Sequence, residues 1–296
     1  MDKFLDIQGG GLEVRLCRPD AGEPYYQGTR FDRSGVFRSV DYHGRNYVDE
    51  WFPDYSPVSH DAVCGPSEEF SQCGFDRAAP GGTFMKAGVG MLYRPDDAPY
   101  DRFRLYEVAD PGIWKVSSGK DRARFVHTLK AEPWGYEYEK RVGITGEGRL
   151  EIIHSLTCTG TEPIEGEVYN HNFLTMGNLS VGPWRKIRFP FVPNGDWRPD
   201  SVGALLAEDG IGFERQLVKG EKAYIGNLVP EKPFRGLAFS VEDTVTGLRV
   251  EVDSEEDFSH AVFWSNHMVA CVEPYMPLQV SPGETRRWRI GYSFLN

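Results

Sequence analysis

The sequence predicts an all-β protein folded as one large antiparallel β-sandwich, and three observations support this fold class. Several stretches alternate apolar and polar residues with a period of two, which is the pattern of strands that bury one face. The 33 glycines and 20 prolines are spread along the chain, as turn residues would be. No segment of comparable length has the period of a helix. We expect a single domain over residues 1–296, because no linker-like tract divides the chain.

The clearest predicted strand covers residues 136–144, where alternate positions are apolar except for Lys140. A second covers residues 150–158 and carries His154 on its apolar face, and a third covers residues 288–294 near the end of the chain. In each of them, one set of side chains lies on one side of the backbone and the other set lies opposite. These patterns predict half-buried antiparallel strands.

Shorter strands are predicted elsewhere, with turn residues between them. They cover residues 12–16, 36–40, 165–169, 248–252, 261–264 and 269–273. The interval 53–90 has no strand pattern, and its Gly-Pro and Pro-Gly-Gly sequences indicate long loops. Long ordered loops on a rigid sheet commonly carry binding groups, so we expect part of a recognition surface there.

Charge and composition argue against several classes of partner. Nucleic acid and anionic lipid both need a basic face, and the net charge of −11 argues against one. The first ten residues contain no apolar run of a signal peptide, and no segment approaches the roughly 20 apolar residues of a membrane span. We therefore expect a cytoplasmic protein, with its five scattered cysteines as buried free thiols.

A histidine between two asparagines follows the strand predicted at residues 165–169. The sequence Tyr-Asn-His-Asn-Phe places Asn170 and Asn172 beside His171. Neighbours on a strand point to opposite faces, so these amides would orient the imidazole only at a bulge or a strand end. A structural histidine and a functional one both fit this pattern.

A glutamate ends the apolar strand predicted at residues 269–273. Glu273 is followed directly by Pro274, which we expect to stop strand pairing. Alone, such a glutamate is most simply a solvated charge at a strand edge. Together with His171, it supplies the two titratable groups of an acid–base pair.

The order of these residues resembles that of aldose 1-epimerases and hexose-6-phosphate mutarotases, in the galactose mutarotase-like superfamily. The asparagine-histidine pair after a central strand is the first shared feature. The second is the ending Cys-Val-Glu-Pro at residues 271–274, followed by Val-Ser-Pro-Gly-Glu-Thr at residues 280–285 and by Trp288. The similarity covers much of the C-terminal two-thirds of the chain, whereas the first third matches poorly.

The resemblance implies a large antiparallel β-sandwich and a site that interconverts sugar anomers. It implies His171 as general acid and Glu273 as general base, which exchange protons with the ring oxygen and the anomeric hydroxyl as the ring opens and recloses. For these roles the glutamate must be ionised and the histidine protonated. No metal or organic cofactor is implied, and the expected ligand is a small-molecule sugar or sugar derivative.

The first third departs from the family, because the family's sugar-contacting His-Gly or Asn-Arg motif is not intact there. Two interpretations remain open. Either Arg30, Asp32 and Arg33 form a surface ion pair and Lys86 is solvated, or this region supplies cationic and acidic groups that contact sugar hydroxyls, a carboxylate or a phosphate. The candidate substrate-binding set is Arg30, Glu69, Lys86, Asn170 and His267.

Two further sets of residues have alternative interpretations. Four scattered side chains would bind a divalent metal only if the fold gathered them, since their spacing carries no ligand signature: His60, Glu69, His171 and His267. Tryptophans of β-sandwiches usually fill the core, but a minority of this group could stack on a sugar: Trp114, Trp134, Trp184 and Trp264.

Three functional classes follow from the sequence. The first is an aldose 1-epimerase, or mutarotase, acting through His171 and Glu273. The second is another carbohydrate enzyme on the same scaffold, such as a lyase or isomerase, in which Lys86, Tyr169 and Tyr275 are candidate members. The third is a non-catalytic sugar-binding protein, which would not need an acid–base pair.

Overall fold

The computed structural model describes residues 2–296, which form 24 strands and one short 3-10 helix, Phe75–Arg77. The strands are, in chain order, β1 (Phe4–Gly9), β2 (Leu12–Cys17), β3 (Phe37–Tyr42), β4 (Arg45–Val48), β5 (Gly65–Phe70), β6 (Gln72–Cys73), β7 (Thr83–Lys86), β8 (Gly90–Tyr93), β9 (Val108–Asp110), β10 (Ile113–Ser118), β11 (Arg122–Ala131), β12 (Trp134–Gly146), β13 (Arg149–Cys158), β14 (Ile164–Phe173), β15 (Arg185–Arg188), β16 (Pro193–Trp197), β17 (Ala204–Ala207), β18 (Gly210–Phe213), β19 (Ala223–Pro230), β20 (Leu237–Asp243), β21 (Leu248–Ser254), β22 (His260–Ser265), β23 (Ala270–Val280) and β24 (Thr285–Leu295).

Two large antiparallel sheets form the sandwich. One has ten strands in the order β10-β11-β12-β13-β24-β21-β20-β15-β18-β17, and the other has six in the order β16-β19-β22-β23-β14-β5. Two four-stranded sheets, β1-β2-β3-β4 and β6-β7-β8-β9, accompany them. Phe70 of the six-stranded sheet packs edge-on against Tyr138 and Trp288 of the ten-stranded sheet, with ring centroids 5.2 and 6.2 Å apart. The predicted all-β sandwich is therefore confirmed.

The alternating patterns of the sequence correspond to the core of this sandwich. The three clearest predicted strands lie within β12, β13 and β24, and their predicted inner faces are buried. Lys140 shares the buried face of β12, where it forms an ion pair with Glu68 of β5. The charged residue that interrupts the pattern is thus explained by a partner on the opposite sheet. All five cysteines are buried and free, as predicted.

The prediction of long loops over residues 53–90 is wrong from residue 65 onward. This interval contains β5, β6 and β7, and every residue of β5 is buried while it pairs with β14 along its length. The sequence of β5, Gly-Pro-Ser-Glu-Glu-Phe, shows no apolar alternation because both of its faces are enclosed and carry charged side chains. Glu68 points to the core, whereas Glu69 points away from it and meets Arg30.

The expectation that Pro274 stops strand pairing is also wrong, since β23 continues to Val280. Alternate backbone groups of β23 face its two neighbours: the Tyr275 carbonyl accepts a hydrogen bond from Ser259 on the β22 side, and the Val272 carbonyl accepts one from Asn172 of β14. Pro274 therefore faces β14. The β14 ladder ends one residue away, at Tyr275, so no backbone donor is needed at the proline.

Beyond that point β14 and β23 diverge, and a side chain bridges the gap. The Asn172 amide donates to the Val272 carbonyl over 2.7 Å and accepts a 2.9 Å hydrogen bond from the Tyr292 hydroxyl. The divergence separates β14 from β23 at the level of His171 and Glu273. No helix within residues 2–296 is both long and apolar enough to cross a bilayer.

Candidate active site

A cavity of about 1080 Å³ lies on the face of the six-stranded sheet that is turned away from the core. Alternate residues of three neighbouring strands form its floor. They include His171 on β14, Glu273 on β23 and Trp264 on β22. The loop between β8 and β9 contributes Arg102 and Phe103 to the wall. Charged and aromatic side chains both line this cavity, and a concave site with convergent polar groups is the usual form of a small-molecule site.

His171 and Glu273 meet directly at the cavity floor. The Nε2 atom of His171 lies 3.1 Å from Oε1 of Glu273, and each side chain is only 5% exposed. Sequence reasoning required these two groups to lie within reach of one sugar ring, and the fold brings them into contact. Their backbones belong to the two strands that diverge here, so the opening between β14 and β23 is filled by this pair.

Aromatic rings enclose the imidazole. His171 stacks on Phe173 with 3.7 Å between ring centroids and 6° between ring planes. Phe31 and Trp264 approach it edge-on at 5.9 and 5.7 Å, and Trp51 covers the other face of Phe173 at 4.8 Å. The Nδ1 atom of His171 has no hydrogen-bond partner among the residues that the structure describes. Packing, rather than a hydrogen bond from a neighbouring amide, fixes the ring.

Burial determines the protonation of the pair. It lowers the pKa of His171 well below 6.5, and the nearby guanidinium groups of Arg30 and Arg102 lower it further. Burial also raises the pKa of Glu273 to about 8, against the opposing effect of the same two arginines. Burial thus favours the uncharged form of the pair, a neutral imidazole beside a carboxylic acid that holds the one proton, over the ion pair that the acid and base roles require.

A cationic cluster adjoins the pair and is centred on one carboxylate. Glu69 accepts hydrogen bonds from the Tyr169 hydroxyl and from Nε of Arg30, the latter over 2.8 Å. Its other oxygen lies 3.4 Å from Nζ of Lys86 and 3.6 Å from Nε of Arg102. Three cations thus surround one anion, and the cluster carries an excess of positive charge.

The pKa values within this cluster reflect that excess. Burial disfavours the charge of Glu69, but Lys86, Arg30 and Arg102 together lower its pKa to about 2. Burial and the two arginines lower the pKa of Lys86 to about 8, although Glu69 opposes the shift. Glu69 is therefore a permanent anion that holds the cations in place.

The structure brings some of the sequence-predicted binding residues together and separates others. Arg30 lines the cavity, and Glu69 and Lys86 lie behind it in the cationic cluster. Asn170 points to the opposite face of β14, where its amide donates to Glu68 over 2.9 Å within the core. His267 lies in the turn between β22 and β23 and does not line the cavity. Asn170 and His267 are therefore not part of the candidate site.

The alternative of a surface ion pair among Arg30, Asp32 and Arg33 is wrong, and so is a solvated Lys86. Arg30 is 8% exposed, and Asp32 and Lys86 are almost fully buried. The guanidinium of Arg33 bonds to backbone carbonyls instead of a carboxylate. Within residues 2–296, no three His, Cys, Asp or Glu side chains are arranged to hold a metal ion, so the structure offers no support for the proposed metal alternative.

Sequence reasoning missed several residues of the cavity wall. Arg102 and Phe103 lie in the long connection between β8 and β9, and the length of that loop was the one available signal. Of the four tryptophans considered from the sequence, Trp264 lines the cavity, together with Trp51 and Trp197. The other three do not line the cavity. Trp114, for example, stacks on His127 with 3.9 Å between ring centroids.

Solved structures that the chain resembles share one fold. The galactose mutarotase-like protein from Clostridium acetobutylicum aligns with a TM-score of 0.59 at 13% identity, over 98% of this chain and 94% of that one. The galactose mutarotase related enzyme from Lactobacillus acidophilus gives 0.55 at 11% identity, over 99% and 97%. The aldose epimerase homologue from C. elegans gives 0.56 at 10% identity, over 99% and 98%. No protein-family model and no curated protein sequence matches the chain.

These alignments cover nearly the whole chain, so the protein has the galactose mutarotase-like fold. The fold that the sequence resemblance implied is therefore confirmed. At identities of 10–13% the likeness concerns the fold alone. The activity must be argued from the side chains of the cavity.

Proposed function

We propose that the protein is a carbohydrate-active enzyme of the aldose 1-epimerase type, which interconverts the anomers of a small sugar. The observation that carries this proposal is the contact between His171 and Glu273 at the floor of a cavity that aromatic side chains help to line. Anomer exchange needs one group to take the proton of the anomeric hydroxyl and another to protonate the ring oxygen. Both sugar oxygens are bonded to the anomeric carbon, so two groups 3.1 Å apart are able to reach them together.

The shared proton of the pair fits this chemistry. Its transfer from Glu273 to His171 produces a carboxylate and an imidazolium without changing the net charge of the pair. The carboxylate then takes the anomeric proton as the imidazolium donates to the ring oxygen, the bond from that oxygen to the anomeric carbon breaks, and an aldehyde forms. This step returns the pair to imidazole and carboxylic acid, the form that burial favours. Rotation of the aldehyde and the reverse step give the other anomer.

The same cavity is less suited to a lyase. A lyase would need a base beside a carbon-bound proton, and the candidates were Lys86, Tyr169 and Tyr275. Lys86 is enclosed and bonded to Tyr100, away from the cavity. Burial raises the pKa of Tyr275 to about 12 and that of Tyr169 well above 10, so neither hydroxyl is readily ionised near neutral pH. These observations favour the epimerase over the lyase.

One-dimensional exchange NMR on a panel of aldoses, sugar acids and sugar phosphates tests the proposal. We expect the protein to accelerate anomer interconversion of at least one of them, and the acceleration to disappear in His171→Gln. The matched control is His267→Gln, the same substitution outside the cavity, which should retain the acceleration. If no sugar responds, the protein is not a mutarotase; if His171→Gln retains full acceleration, the assigned pair is wrong.

A further inference from the structure

Arg102 differs from the other two cations of the cluster in how much of it faces the cavity. Its side chain is 40% exposed, whereas those of Arg30 and Lys86 are 9% and 1% exposed. Arg102 lines the main cavity and also a smaller recess beside it, whose lining includes Tyr169, Tyr275 and the carboxylates of Glu69 and Glu167. It is therefore the cation of the cluster that is most accessible to a ligand.

The hydrogen bonds of Arg102 leave much of its guanidinium free. Its Nη1 atom makes long contacts of 3.3 and 3.4 Å with the hydroxyls of Tyr169 and Tyr275, and its Nε lies 3.6 Å from Glu69. Within residues 2–296 its Nη2 atom has no hydrogen-bond partner. Glu69 already accepts shorter hydrogen bonds from Arg30 and Tyr169, so it does not occupy all the donors of the Arg102 guanidinium. N–H groups in the plane of the guanidinium are thus left free to donate hydrogen bonds to a ligand.

The position of Arg102 relative to the catalytic pair follows from the sheet. Tyr169 and Tyr275 are directly paired across β14 and β23, and each is two residues from the catalytic residue of its strand. Two residues of a strand span roughly 6–7 Å. Because Arg102 contacts both tyrosine hydroxyls, it lies about one sugar ring away from His171 and Glu273. It therefore faces the end of the ring that is remote from the anomeric carbon.

We infer that the substrate is a sugar acid whose carboxylate lies at the end of the ring remote from the anomeric carbon, and that Arg102 binds this carboxylate. The inference rests on the proposed function and names its substrate class. A guanidinium matches a carboxylate in a bidentate geometry. In this arrangement the anomeric carbon lies over His171 and Glu273 while the carboxylate lies in the main cavity against the exposed side of Arg102.

The surroundings favour a carboxylate over a phosphate. The Nε and one Nη of Arg30 are engaged by Glu69 and Tyr169, and Lys86 is enclosed, so Arg102 would meet the anion without close cationic help. Asp101 and Glu167 also line the cavity and would repel a dianion more than a monoanion. The other cations that line it, Arg198 and Lys222, adjoin β16 and β19, on the opposite side of the six-stranded sheet from β14. One planar monoanion is the ligand that a single guanidinium accommodates best.

Such a substrate would also assist the catalytic pair. After burial and Arg30, the charge of Arg102 is a further cause that keeps the pKa of His171 low. A carboxylate bound to Arg102 would offset that charge. The charge of Arg102 also lowers the pKa of Glu273, so the bound carboxylate would raise the pKa of both residues and help the pair to keep its one proton.

The test compares glucuronate, glucose and glucose 6-phosphate by exchange NMR in the wild type, Arg102→Gln and Arg104→Gln. Arg104 is the matched control, because it lies two residues away, is 38% exposed and pairs with Asp96 rather than facing the cavity. We expect glucuronate to be the best of the three substrates. Arg102→Gln should lower the ratio of kcat/KM for glucuronate to kcat/KM for glucose by about 10- to 100-fold, whereas Arg104→Gln should leave that ratio unchanged.

Several outcomes overturn the inference without touching the proposed function. Exchange that is faster with glucose or with glucose 6-phosphate than with glucuronate excludes the carboxylate, and so does an unchanged ratio in Arg102→Gln. If none of the three sugars exchanges faster, and no sugar of the wider panel does either, the proposed function fails. Glucuronate binding, followed by ligand NMR, then decides the inference separately: binding that is lost in Arg102→Gln but kept in Arg104→Gln supports it, and absence of binding to the wild type overturns it.

Discussion

The two faces of β5 and β14 carry buried polar clusters of similar composition that differ in their access to solvent. Successive residues supply them, because neighbours on a strand point in opposite directions. His171 lines the cavity and Glu69 lies on the same side of the sheet, in the smaller recess, whereas Glu68 and Asn170 point to the core. Consecutive residues of the same two strands therefore contribute to a candidate catalytic site on one face and to a structural network on the other.

The core cluster is closed. Glu68 forms an ion pair with Lys140, accepts a 2.9 Å hydrogen bond from Asn170 and lies 3.4 Å from Nε2 of His154. Each of these side chains is at most 1% exposed. Burial, with the nearby Lys140 charge, lowers the pKa of His154 well below 6.5, so this histidine is neutral. Nε2 of His154 and Oδ1 of Asn170 have no hydrogen-bond partner among the described residues, but both atoms are buried in the core, where no cavity gives a ligand access to them.

The cavity cluster is open by contrast. Its cations exceed its permanent anion, Arg102 keeps unused donors, and His171 and Glu273 share a proton at the cavity floor. The comparison teaches that the presence of buried charged groups does not identify a site, since both faces have them. What distinguishes the functional face is access: its titratable pair and the exposed guanidinium of Arg102 adjoin a cavity that a ligand can enter.

The largest expected effect separates the two faces by activity. Glu273→Gln removes the base of the cavity pair and should lower turnover by about 10²–10⁴-fold. The free energy of unfolding should change by less than about 1 kcal/mol, because the substitution keeps the volume of the side chain and removes no ion pair in the resting form. Exchange NMR and urea denaturation measure the two quantities. If Glu273→Gln lowers the free energy of unfolding but keeps its turnover, the role of Glu273 is structural and not catalytic.

The next effect separates the faces by stability. Lys140→Met leaves the Glu68 carboxylate buried without its cation and should lower the free energy of unfolding by about 3–5 kcal/mol. Urea denaturation checks this value. The double variant Lys140→Met with Glu68→Gln is the control, and it should recover part of the loss because no buried charge is left unpaired. A loss that is the same in both variants would show that the ion pair is not its cause.

A smaller effect is expected at Asn170, which sequence reasoning placed at the sugar site. Asn170→Ala removes one hydrogen bond to Glu68 and should cost about 1–3 kcal/mol of stability. Because the side chain lies on the core face, the KM for the sugar should not change. Steady-state anomer exchange at several sugar concentrations measures KM, and a marked rise in it would return Asn170 to the binding set.

The smallest expected effect is a pH dependence of the cavity pair. The pair is active with one proton, and it loses that proton as pH rises through the pKa of Glu273, about 8. Above this pH, kcat/KM should fall about tenfold per pH unit, because no acid remains. On the acid side it should stay level through 6.5, since the pKa of His171 lies well below that value. Exchange rates corrected for buffer catalysis test this, and a fall centred near 6.5 would indicate a protonated resting histidine instead.

Much of the fold was predictable because its largest strands obey simple alternation. The predicted strands at residues 136–144, 150–158 and 288–294 lie inside three adjacent strands of the ten-stranded sheet. β5 was missed because a strand whose two faces both carry buried charges has no apolar period. Its identity depends on partners such as Lys140 that are distant in sequence and are brought near only by folding.

The candidate site was predictable only in part, for a related reason. His171 and Glu273 were identified through a family resemblance, and the fold places them in contact. Arg102 was missed because its location depends on the path of a loop, which no local pattern records. Asn170 was misplaced although strand alternation itself sends it to the face opposite His171. The protonation of the pair depends on burial, which only the packed structure reveals.

The central claim, that His171 and Glu273 act as one unit sharing a proton, is tested most directly by anomer-exchange rates in a double-variant cycle. The rates of His171→Gln, Glu273→Gln and the variant with both substitutions are compared with the wild type. Residues that act as a unit show strongly non-additive effects. We predict that the double variant loses no more activity than the more damaged single variant, whereas losses that multiply would contradict a shared-proton pair.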